Sequence, residues 1–75
     1  MSPKFPWPVT RDEVLLETTL SEVITTLEVA GHLANASTRI SAAEYIVDAY
    51  IEGVRDSETL AVYALSQLRA HGNDL

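Results

Sequence analysis

The run SAAEYIVDAYIEGVRDSETLAVYALSQLRAH, residues 41–71, decides the fold. Ala43, Ile46, Val47, Tyr50, Ile51 and Val54 recur at steps of three and four, the period of a helix with one apolar face. Ser41 followed by Glu44 fits a capping box, in which each side chain satisfies an orphan backbone N–H of the first turn. Together they predict a helix over about 42–54. The pattern breaks near Gly53 and restarts at once. Asp56 or Ser57 can cap the next helix, and Glu58 places a negative charge in its first turn. Leu60, Ala61, Ala64, Leu65 and Leu68 form its apolar stripe, with Tyr63 beside it. Arg69 and His71 suit the negative end of the helix dipole, and Gly72 is a natural stop. This predicts a helix over about 57–71. So short a link requires the two helices to pack as an antiparallel or steeply crossed pair.

Working back towards the N-terminus, Leu16, Leu20, Val23, Leu27, Ala30 and Ala34 make a third stripe, with Ile24 and Gly31 beside it. Thr10 and Glu13 fit a capping box, and Val9 and Val14 are spaced as a hydrophobic staple. The expected helix covers about 11–34, with Gly31 either ending it early or admitting the close approach of a neighbouring helix. Its threonine pairs, Thr18-Thr19 and Thr25-Thr26, lower helix propensity, so it depends on packing partners. Residues 35–40 are expected to be the main loop. Asn35-Ala36-Ser37 matches a glycosylation sequon, which without a signal peptide reads as a chance match.

The segment MSPKFPWPV differs in composition from the rest. Pro3, Pro6 and Pro8 exclude a helix and favour an extended path. It has one lysine and no apolar run, unlike a signal peptide. Phe5, Trp7 and Val9 can pack across the chain's own helices. They can also anchor a second chain, because rigid aromatics lose little entropy on binding. The expected organisation is an extended arm over 1–9 and a compact all-α, three-helix domain over 10–75, with a helical dimer as a possible assembly.

Seventy-five residues form a single small domain whose core is only just large enough to hold it, which makes partners or self-association useful. There is no cysteine, so no disulfide can staple the chain. No apolar stretch approaches the roughly 20 residues of a membrane span. The net charge of −6 opposes binding to phosphate backbones and anionic membranes. The basic residues Lys4, Arg11, Arg39, Arg55 and Arg69 are scattered. The last two helices could mimic a helix-turn-helix, but Glu58-Thr59-Leu60 is a poor start for a recognition helix.

Catalytic chemistry finds little footing. Glu44, Asp48 and Glu52 recur every four residues on one side of a helix, yet no histidine joins them at a useful spacing. Glu28 and His32 are an i,i+4 pair, too few for zinc without further ligands. No Gly-x-Ser-x-Gly element and no glycine-rich phosphate loop is present. No catalytic residue, metal ligand or cofactor site is assigned.

Tyr50-Ile51-Glu52-Gly53, followed by Asp56-Ser57-Glu58, resembles the C-terminal part of small bacterial antitoxins that inhibit Fic-type adenylylating enzymes. That family places Ser or Thr four residues before the glutamate. Asp48 occupies that position here, so the inhibitory motif is absent.

The residues therefore point to a non-enzymatic, cytoplasmic interaction module. A regulator or inhibitor of a partner protein, of antitoxin, immunity or phage-inhibitor type, fits its size and charge. An obligate homo-oligomer with a structural role is the alternative, and a DNA-binding regulator ranks below both. The partner-binding candidates are Phe5, Trp7, Val9, Glu44, Asp48, Glu52 and Tyr63. A protein partner, self or foreign, is expected, with neither membrane nor nucleic acid.

Overall fold

The computed structural model describes Trp7, residues 11–32 and residues 34–71. They form three helices, α1 (Glu13–Val29), α2 (Ala36–Ile51) and α3 (Ser57–His71), and no strand. Each helix packs against both others, so the bundle closes on itself. The all-α, three-helix architecture read from the sequence is the one observed.

The core takes Leu16, Leu20, Val23, Ile24 and Leu27 from α1, as the spacing predicts. Leu60, Ala64 and Leu68 of α3 are also buried, with Ala61 and Leu65 packed beside them. Thr19 is fully buried among apolar neighbours. Its hydroxyl donates to the carbonyl of Leu15 at 2.7 Å, which removes the cost of burying a polar group there.

α2 differs from its sequence reading in two ways. It begins at Ala36, so the expected loop over 35–40 is largely helix. Asn35 is the N-cap: its side-chain oxygen accepts from the Thr38 N–H at 2.9 Å and from the Thr38 hydroxyl at 3.1 Å. The sequon asparagine thus starts a helix, and Ser41 sits inside it rather than capping it. The buried face is also turned from the expected stripe. Ala42, Ala43, Ile46, Ala49 and Tyr50 are buried, Val47 and Val54 are half-buried, and Ile51 is 70% exposed. Small alanines let neighbouring helices approach closely.

α1 ends at Val29, before the expected 34, because Gly31 adopts φ +90. The Gly31 N–H bonds to the Glu28 carbonyl at 3.0 Å and the His32 N–H to the Leu27 carbonyl at 2.9 Å. This is a Schellman motif, which satisfies carbonyls that a helix end leaves open. Ala30 is exposed, while Ala34 packs against the core from the connection. α2 ends the same way. Gly53 lies at φ +110, its N–H bonding to the Tyr50 carbonyl and the Val54 N–H to that of Ala49. At its start, α1 has Asp12 in the N-cap position, without a side-chain capping bond, and the expected Thr10 lies outside the described residues. Asp56, not Ser57, caps α3: its carboxylate accepts from the Thr59 N–H and hydroxyl, both at 2.9 Å.

These helix ends can be tested separately. A Cβ at Gly31 or Gly53 would meet nothing within 4 Å, so alanine there reports backbone conformation alone. Each Gly→Ala change should cost about 1 kcal/mol or more, read as a lower urea midpoint at unchanged slope. The Thr59 backbone N–H, and then its hydroxyl, hold the Asp56 carboxyl below its usual range. A carboxyl lowered on folding stabilises above its unfolded pKa, and that stabilisation is lost as pH falls through the folded value. Asp56→Asn should therefore lower the urea midpoint at neutral pH, with the difference from wild type shrinking in acid.

Candidate functional site

Two groups of polar side chains stand out. The first lies where the start of α1 meets the end of α2. The Tyr50 hydroxyl donates to Asp12 Oδ2 at 2.6 Å. The Arg55 guanidinium lies over the Tyr50 ring, 3.7 Å from its centroid. Arg55 Nε is 3.7 Å from Asp12 Oδ2, and Nη1 donates to the Tyr50 and Val54 carbonyls. A charge-assisted hydrogen bond, a cation–π contact and an ion pair thus converge on three residues from the head of α1, from α2 and from the link to α3. The cluster contains neither a histidine nor an aliphatic hydroxyl nucleophile, and its polar atoms bond one another. It is a fastening of the bundle end. Trp7 is buried and its indole N–H donates to Glu17 Oε1 at 2.7 Å, so this arm residue docks on α1 of its own chain.

The second group is the outer face of α2. Glu44, Asp48 and Glu52 are exposed, as their four-residue spacing requires. Ile40, 52% exposed, and Ile51, 70% exposed, share this face, with half-buried Val47 at its edge. Two bare isoleucines therefore flank Glu44 and Asp48 along this face, with Glu52 next to Ile51. Like charges four residues apart on a helix repel, at about 0.2–0.5 kcal/mol per pair. Among the described residues no basic side chain forms an ion pair with any of the three.

The remaining candidates separate. Tyr63 is on α3, at 37% exposure, and so belongs to a different helix from the acidic stripe. Phe5 and Val9 lie outside the described residues. Glu28 is exposed and His32 half-buried beyond the end of α1. Among the described residues no three His, Asp or Glu side chains come together as a metal-holding group, and no helix is long and apolar enough to cross a membrane. Sequence reasoning missed Ile40 and Ile51 as surface residues. The available signal was Asn35-x-x-Thr38, an N-cap pattern that places Ile40 on the same helix as the acidic stripe. It also missed the Asp12–Tyr50–Arg55 cluster, in which Asp12 is far in sequence from the other two.

Comparison with known proteins adds no likeness: no family model, curated protein or solved structure matches the chain.

The fastening makes a measurable claim. Tyr50→Phe removes a hydrogen bond to a charged acceptor while keeping the ring, and should cost about 2 kcal/mol. Asp12→Ala, which removes the acceptor, should cost a similar amount. The double variant should lose clearly less than the sum, because the two changes remove the same bond. Urea titration of the four proteins checks this, and simple additivity would show that the contact carries no coupling.

Proposed function

We propose that the protein is a small acidic interaction module that binds a partner protein through the outer face of α2. The observation that carries this reading is the juxtaposition of exposed Ile40 and Ile51 with Glu44, Asp48 and Glu52. Apolar side chains supply contact energy when desolvated, and the surrounding carboxylates select a partner of opposite charge and speed its encounter. The partner of matching chemistry is a protein with a shallow apolar groove rimmed by Lys and Arg. A regulator or inhibitor of a basic protein fits this chemistry and the net charge of −6.

The alternative of an obligate oligomer draws less support. Fourteen hydrophobic side chains among the described residues are buried within one chain, which supports a core formed without a second subunit. DNA binding draws little support from an α3 that begins with exposed Glu58 and Thr59.

The test begins with capture of binding proteins by the full chain, followed by titration with the purified partner. Glu44→Lys with Asp48→Lys should weaken binding by at least about tenfold and slow association most. Ile51→Asp should weaken it through faster dissociation. Circular dichroism should report an intact fold for each, since all three positions are exposed. Unchanged affinity in these folded variants would defeat the reading.

A further inference from the structure

α3 carries a second outer face of a different kind. Glu58 and Arg69 are both exposed, one in its first turn and the other in its last. Eleven residues are close to three full turns, so the two positions share one side of the helix about 16 Å apart. Between them on that side stand Val62, 58% exposed, the half-buried Leu65 and the exposed Ser66. The strip therefore reads negative, apolar, positive from its N- to its C-terminal end. Neither Glu58 nor Arg69 forms an ion pair among the described residues.

A strip of this order is complementary to itself when reversed. We infer that the α3 face pairs with the α3 face of a second copy of this chain, antiparallel about a two-fold axis. A single register meets every requirement. Setting Glu58 against Arg69 of the other copy places Val62 against Leu65, and the symmetry repeats each contact. The helix dipoles also run antiparallel in this arrangement. Two chains of net charge −6 repel each other, and this strip is charge-balanced, unlike the three-carboxylate face of α2. The contact is one helix wide, below the area of standard stable complexes, so the dimer is weak and reversible. This inference does not rest on the proposed α2 docking face, and either can fail alone.

Charge exchange tests it on the full chain. Wild-type protein should pass from monomer to dimer as concentration rises through the micromolar to millimolar range in sedimentation equilibrium. Glu58→Arg alone, and Arg69→Glu alone, should each weaken self-association by about tenfold, because each turns two attractive contacts repulsive. An equimolar mixture of the two should associate again, since a strip positive at both ends then faces a strip negative at both ends. The double variant E58R/R69E should dimerise like wild type. Val62→Asp should abolish pairing while leaving the helical circular dichroism signal intact. A wild type that stays monomeric to millimolar concentration would overturn the inference. So would single variants that pair like wild type, or a mixture that fails to restore association.

Discussion

Tyr50 is the residue on which the three helices converge. Its hydroxyl holds Asp12 at the head of α1, and its ring lies under the Arg55 guanidinium. Its carbonyl accepts both the Gly53 N–H of the α2 Schellman turn and Arg55 Nη1. One side chain and one peptide group thereby set where α1 starts, where α2 stops and how the chain enters α3. In a domain of 75 residues the small core leaves a thin stability margin, so a constraint that ties helix ends together adds to it. A polar knot at one end supplies that constraint. It also explains why Asp12 leaves its own helix without a side-chain cap: the carboxylate that could accept from the first turn is held by Tyr50 and Arg55 instead.

What the sequence disclosed follows the range over which each signal acts. The stripes of α1 and α3 were legible because Leu16, Leu20, Val23 and Leu27, and then Leu60, Ala64 and Leu68, are spaced by the helix itself. The Asp56 cap and the Gly53 stop are equally local, whereas Gly31 ends α1 short of where the apolar stripe would carry it. The phase of α2 was harder to read. Its large residues Ile46, Val47, Tyr50 and Ile51 spread over more than one side, and the bundle selects among them by how closely α1 and α3 approach. Alanines at 42, 43 and 49 permit that approach, so Ile51 is left outside. The same choice makes the difference between an acidic stripe, which the spacing of Glu44, Asp48 and Glu52 already implied, and a face that mixes charge with bare apolar surface. The Asp12–Tyr50 bond spans 38 residues, a separation that no local pattern encodes.

The distribution of carboxylates divides the molecule by use. Asp12, Glu17 and Asp56 are engaged within the chain, by Tyr50 and Arg55, by Trp7 and by Thr59. Those bonds fasten helix ends and the one described arm residue, where an oriented acceptor stabilises most. Glu44, Asp48 and Glu52 contribute nothing of that sort. They repel one another along α2 and stand beside isoleucines whose exposure gains the fold nothing. A helix designed for stability alone would alternate the signs of these charges and bury or replace Ile40 and Ile51. The α3 strip, by contrast, places one charge of each sign at its two ends and separates them by about three turns, too far to pair within the helix. Among the described residues neither face's charges are paired within the domain. In the two readings proposed above, the α2 face takes positive charge and an apolar groove, and the α3 face takes a copy of the same strip running the other way. The small closed core makes this division possible, because a bundle that satisfies its own interior leaves its outer surfaces free to be shaped by what they meet.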